Sequence, residues 1–312
     1  HIMSFFVSKA ARAARELREK TNSPELRVSD FLKIKPWVIV EGGSYNGNFD
    51  FMPEKYRIGK WHPVAILTIV GSIAALFVSR PDGTDFGNLL QVSDPTIKEI
   101  GNNSQHFPPA FSYAWYYNVV AFIFMTTMHA ESFYRFGSFP YVTFTVQSWI
   151  LLTIRHGFIA IQPFLSRTHW VHFVSELLRG PVLISSLCVS IVWNFALLPI
   201  IYFKFIKIKE QRRKFLKWNT SFHLVQWHIL NVFYAFLNSL SAPRKLIYAD
   251  LWCMYTFVLY YATFYFTVLD RIGIHLYPIF TPRTIYSIFP YMTLIGLIFS
   301  IYSACNSFIF SQ

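Results

Sequence analysis

Two stretches of this chain carry side chains that could do chemistry inside otherwise apolar surroundings. FPYVTFTVQSWILLTI, residues 139–154, holds Thr143, Thr145, Gln147, Ser148 and Thr153, and SFHLVQWHILNVFYAF, residues 221–236, holds His223, His228 and Asn231. A threonine hydroxyl is a poor nucleophile until a base takes its proton, and a neutral histidine can be that base. Thr143 and His228 are the candidate catalytic pair. Gln147 lies one turn from Thr143 and Asn231 three residues from His228. Either amide could donate a hydrogen bond to an oxyanion. No Asp or Glu stands nearby to orient His228, so such a site would be a reduced form of the serine-protease triad. The same residue types also hydrogen-bond between membrane helices. The pattern alone therefore leaves a reaction centre and ordinary helix glue both open.

Other constellations offer less. His169, His172 and Glu176 share a helix face at i, i+3 and i+7. That spacing is no metal signature and lacks a fourth ligand, so an interfacial helix leading into the next apolar block is expected there. His223 and His228 are five residues apart, about 140° around a helix, and cannot chelate one metal from a single helix. No dinucleotide, phosphate-loop or haem-attachment fingerprint is present, so the expectation is a protein without metal or cofactor. Cys188, Cys253 and Cys305 all fall in apolar blocks and read as small buried hydrophobes.

The elements that must position the Thr/His pair are membrane helices. The 312 residues are 54% hydrophobic, 19% aromatic and only 14% charged, against about a quarter charged in soluble domains. Seven apolar blocks of near-spanning length are predicted at 61–79, 112–130, 139–161, 178–203, 219–240, 250–269 and 286–309, each close to the ~20 residues a bilayer requires. Of the 28 Lys and Arg residues, 21 fall on one side of this alternation and five on the other, with Arg155 and Arg179 inside blocks. The N-terminus is therefore expected on the positive side. The net charge of +12 points to anionic lipid headgroups rather than to nucleic acid. No carboxylate is expected deep in any block, which argues against proton-coupled transport. By helical rise, Thr143 and His228 sit within about 8 Å of one depth.

The fold class expected is all-α and membrane-integral: a six-helix core at 111–312, preceded by an extension. Residues 61–110 supply one further span and an acidic loop. Residues 1–60 are polar and basic, with an amphipathic helix at 4–20 that could lie on a membrane surface or target a mitochondrion. The sequon Asn102-Asn103-Ser104 bears on compartment, because sugar there would exclude mitochondria. The mitochondrial inner membrane and the endoplasmic reticulum or plasma membrane both stay open.

From residue 111 to 310 the order of segments resembles the FAR-17a/AIG1-like family of multispanning membrane proteins. FPYVTFTVQS is similar to the family's early catalytic span and aligns its threonine with Thr143. WHILNVFYAFLNSL is similar to its later span and aligns its histidine with His228. GIHLYP, Gly273 to Pro278, is similar to its Gly-x-x-x-Tyr-Pro turn. Members characterised as enzymes are threonine hydrolases that cleave branched fatty-acid esters of hydroxy fatty acids. The resemblance thus implies an intramembrane lipid-ester hydrolase with Thr143 as nucleophile and His228 as base. Two positions depart: Val225 replaces the family's Asn-His pair, and Asn238 replaces a glutamate. A non-catalytic accessory subunit of a larger membrane complex is the alternative. Partner subunits would then be held through residues 1–60 and 80–110, and the pair would be structural.

Overall fold

The computed structural model describes residues 61–83, 108–165, 169–241, 244–270 and 276–309, and among these every regular element is a helix. The amphipathic 4–20 stretch, the 1–60 extension, the sequon and Gly273 lie outside the described residues. In chain order the helices are α1 (Pro63–Val78), α2 (Tyr113–Phe136), α3 (Phe144–Ile161), α4 (His169–Leu177) and α5 (Arg179–Ile191). They continue with α6 (Lys209–Asn219), α7 (Phe222–Val225), α8 (Asn231–Leu240), α9 (Tyr248–Phe264) and α10 (Ile288–Ala304). Wide π-turns extend or join several of them. Val192–Leu197 and Ile200–Phe205 prolong α5, Gln226–Leu230 joins α7 to α8, and Tyr265–Leu269 ends α9.

Four helical runs are long and apolar enough to cross a membrane: Phe144–Phe164, Trp170–Lys204, Tyr248–Leu269 and Ile285–Ser307. The α2 and α7–α8 runs are of similar length but carry His, Asn and Gln on buried faces. The 61–79 block folds as α1, a helix of 16 residues with a rise of about 24 Å, short of the ~30 Å hydrocarbon thickness. It packs on α9 and α10. The Tyr248 hydroxyl and the Trp252 indole N–H donate to the carbonyls of Ser79 and Leu76 at its C-terminal end. At the other end Trp61 donates to Asp270, which also pairs with Arg283.

Helix α5 is the axis of the bundle. Residues 180–186 are all buried, and α3, α8, α9 and α10 pack around it. Gly180 is required there, because a Cβ would sit 2.5 Å from the Asp250 Cβ and 2.6 Å from the Asp250 carbonyl oxygen. Apolar layers fill the middle, with Trp149, Leu152, Leu183, Ile184, Met254 and Ile298 almost wholly buried.

The turn from α2 into α3 sets where the first chemical stretch points. Gly137 closes α2 with φ 67°, a conformation glycine adopts without a side-chain penalty. Phe139–Val142 then form one 3-10 turn, and Thr143 stands in extended conformation as the cap of α3.

The apolar blocks hold no deep carboxylate in the sequence, yet Glu176, just ahead of the 178–203 block, is buried inside the bundle. α4 runs almost directly into α5 as one helical stretch, Trp170–Lys204, and Glu176 within it is fully buried. Arg179 donates to it at 2.8 and 3.2 Å and Arg244 at 2.5 Å. Arg244 also grips Asp250 with two bonds, at 2.7 and 3.0 Å. Burial works against the charge on Arg244, but Asp250 and Glu176 outweigh it and raise its pKa. Arg155 reaches the Ser175 carbonyl, Asn238 and the edge of Glu176. Asn238 and His156 both bond Asn118. Residues of α2, α3, α4, α5, α8 and α9 are thereby tied into one polar centre.

Candidate active site

Thr143 and His228 do not meet. The Thr143 hydroxyl donates to the Pro140 carbonyl at 2.7 Å and accepts the Val146 amide at 3.2 Å. This is the N-cap role that threonine performs well, and it uses both capacities of the hydroxyl. Two residues further on, Thr145 faces the histidine, with its Oγ1 3.3 Å from His228 Nε2. The threonine that meets His228 therefore lies two residues beyond Thr143, which the chain spends on starting the helix.

His228 lies in the π-turn Gln226–Leu230 and is buried. Its Nδ1 is 3.1 Å from the Leu224 carbonyl. A carbonyl can only accept, so Nδ1 carries the hydrogen and Nε2 presents a lone pair to the Thr145 hydroxyl. The Trp193 indole stacks on the imidazole at 4.2 Å and 19°. Trp193 belongs to the π-turn Val192–Leu197, so two wide turns face each other here. Such turns leave backbone carbonyls unpaired and often mark functional positions. Asn194 supplies one remedy, donating its amide to the His228 carbonyl at 3.1 Å.

Neither predicted oxyanion donor reaches this place. The Gln147 amide donates back to the Tyr141 carbonyl at 3.3 Å. Asn231 is buried, its amide is 3.5 Å from the Ser186 carbonyl, and its side-chain oxygen has no hydrogen-bond partner among the described residues. Tyr277 comes instead. Its hydroxyl accepts the Phe144 amide at 3.2 Å and lies beside the Thr145 side chain. The Tyr277 ring is half-buried, yet desolvation at its hydroxyl end pushes the phenol above its ordinary pKa against the opposing hydrogen bonds. It stays a protonated donor. Tyr265 holds the backbone of Tyr277, accepting its amide at 3.2 Å, while Tyr261 pins the approach to α3 by donating to the Val142 carbonyl at 2.9 Å.

Thr145 and Tyr277 help to line a partly open pocket of about 80 Å³. Cys188, Val189, Trp193 and Leu197 form one wall, Val258, Tyr261 and Ala262 a second, and Phe280, Tyr291 and Leu294 a third. The surface the lining presents is almost wholly apolar, with Thr145 and Tyr277 among its residues. Among the described residues no cluster of three metal-ligating side chains occurs; His172 sits against Gln162 while Glu176 is taken by arginines.

In the sequence Tyr277 stands only as part of a Tyr-Pro turn. Its approach to Thr145 comes from a return of the chain across more than 130 residues, which spacing does not reveal. The cap was readable: Pro140 and a threonine before an apolar run are a helix-start signature. Trp193 had no signal beyond being one tryptophan among nine.

Compared with protein-family models, with curated proteins and with solved structures, the chain finds no match.

Proposed function

We propose that the chain is an integral membrane protein of six spanning runs, α2, α3, α4–α5, α7–α8, α9 and α10, with α1 packed alongside, and that it hydrolyses fatty-acyl esters within the bilayer. The observation that carries this reading is the Thr145–His228 contact at 3.3 Å, made by a threonine that also lines an apolar pocket together with Tyr277. The distance is slightly long for a nucleophile–base pair, as such contacts often are before substrate binds.

The chemistry balances with the groups at hand. Thr145 gives its proton to His228 Nε2 as its oxygen attacks the acyl carbon. The carbonyl oxygen becomes an oxyanion and receives the Tyr277 hydroxyl hydrogen bond. Collapse breaks the ester C–O bond, and His228 returns the proton to the departing alkoxide. Water then repeats the sequence on the acyl-threonine, with His228 as base, releasing the fatty acid. An acyl chain lying among Val189, Leu197, Val258 and Leu294 reaches this centre without leaving the hydrocarbon layer. The reading shares its reaction class with the FAR-17a/AIG1-like family and assigns the nucleophile to Thr145.

The test is labelling of the purified full chain with a fluorophosphonate carrying an alkyl chain. Wild type and Thr143→Ala are expected to label on Thr145 and Thr145→Ala to stay unlabelled, its rate down on the order of 10⁴-fold. Equal labelling of Thr145→Ala and wild type overturns the assignment. No labelling of any form favours the accessory-subunit reading, in which Thr145 and His228 only tie helices together.

A further inference from the structure

Helix α6 joins the end of α5 to the π-turn that carries His228, and its surface is divided by charge. Residues 204–218 contain seven Lys and Arg against one acid, Glu210. Lys209, Arg213 and Lys217 recur every fourth residue and share one exposed face, with Lys204, Lys207 and Lys214 exposed near them. None of these cations forms an ion pair with the described carboxylates. The other face is held to the bundle: Arg212 donates to the Ile206 carbonyl at 2.8 Å and lies over the Tyr202 ring, and Phe215 and Asn219 are half-buried. Ile208, Trp218 and Phe222 project at the flanks with more than half their surface exposed. Cations on one face with aromatic and aliphatic flanks are what a helix lying among lipid headgroups presents. The run alone holds seven of the chain's 28 Lys and Arg residues, and anionic lipids draw basic segments of this kind.

The last residue of α6 is wired to the candidate base. Asn219 Oδ1 accepts the indole N–H of Trp193 at 2.7 Å, and Trp193 is the ring stacked on His228 at 4.2 Å. Trp218 adds an edge contact to the same indole, with centroids 6.1 Å apart. A tilt of α6 therefore moves the plane against which the imidazole lies.

We propose that the Lys209/Arg213/Lys217 face of α6 binds anionic phospholipid headgroups and that this engagement positions His228 through Asn219 and Trp193. The docking half stands on charge and exposure alone. The coupling half rests on the Thr145–His228 reading, with Trp193 as a positioning residue.

Two measurements on the full chain separate the halves. In native mass spectrometry from detergent, phosphatidylglycerol is expected to be retained over phosphatidylcholine. The triple variant Lys209→Gln/Arg213→Gln/Lys217→Gln is expected to lower that preference about tenfold or more. No preference, or an equal preference in the triple variant, overturns the docking site and leaves the basic face to an acidic protein segment. In nanodiscs, phosphatidylglycerol added to phosphatidylcholine is expected to raise the fluorophosphonate labelling rate of Thr145 about fivefold. Asn219→Ala should retain the phosphatidylglycerol adducts while labelling at one rate in both lipids. A lipid response that survives Asn219→Ala overturns the coupling. Labelling absent from every sample removes the hydrolase reading and the coupling with it, and leaves the adduct result to decide docking.

Discussion

The bundle contains two polar centres, and they are built on opposite principles. Both join α3 to the α7–α8 run: Thr145 meets His228 at one level, and Arg155 meets Asn238 ten residues further along each helix, about 15 Å away by helical rise. The Arg155 centre is crowded and sealed. Glu176, Arg155 and Arg179 are fully buried; Arg179 and Arg244 hold Glu176, while Arg155 bonds the Ser175 carbonyl and Asn238. The Thr145 centre is sparse, with one hydroxyl, one imidazole and one phenol beside an apolar void. Dense pairing without room fastens helices, whereas a few directed groups next to room can act on something that comes in. On the proposed reading, the first centre is structural and the second is the one that could act on a ligand.

The largest expected effect breaks the crowded centre. Glu176→Gln leaves three buried guanidiniums facing one carboxylate, Asp250, and is expected to cost about 3–5 kcal/mol, seen as a collapsed unfolding temperature in detergent. An unchanged temperature would show that the cluster is not fastening the bundle. Next, Tyr277→Phe removes only a hydroxyl from the sparse centre. Turnover of an acyl ester should fall on the order of 10²–10³-fold, the loss typical of one oxyanion donor, with little change in unfolding temperature. A normal rate would remove Tyr277 from the chemistry. Gly180→Ala presses a methyl group on the Asp250 backbone and should destabilise by about 1–3 kcal/mol while leaving the labelling of folded protein intact. The smallest effect is Thr143→Ala, a lost cap worth about 1 kcal/mol. A loss of labelling larger than the loss of folded protein would return the nucleophile to Thr143.

Helices were legible in the sequence because apolar blocks are long and interrupted by polar, Pro- and Gly-containing turns. The blocks at 139–161, 250–269 and 286–309 fold as α3 with its preceding turn, α9 with its π-turn, and α10 with its own. The block at 178–203 began too late. Thr168, His169, His172 and Glu176 look like a polar flank, and Glu176 is buried against Arg179, one turn on, and Arg244, which arrives from a distant loop. His228 stood out as a histidine in an apolar run, but its partner was read two residues short. Which threonine caps and which faces inward depends on where the helix begins, and the 3-10 turn at Phe139–Val142 sets that point. Gln147 and Asn231 sit at suitable spacings, yet carbonyls on neighbouring backbone claim their amides. The contribution of Tyr277 required the fold itself.

The wide turns at Val192–Leu197 and Gln226–Leu230 carry a consequence for how length changes would be tolerated. Each stretches the thread of its helix so that more residues share one loop of the screw than in regular α-helix. Excising a single residue from either would close that loop to regular α-helix and re-aim the side chains inside it, each residue step being about 100°. Trp193 and His228 would no longer lie ring on ring, although every side chain of the pair would still be present.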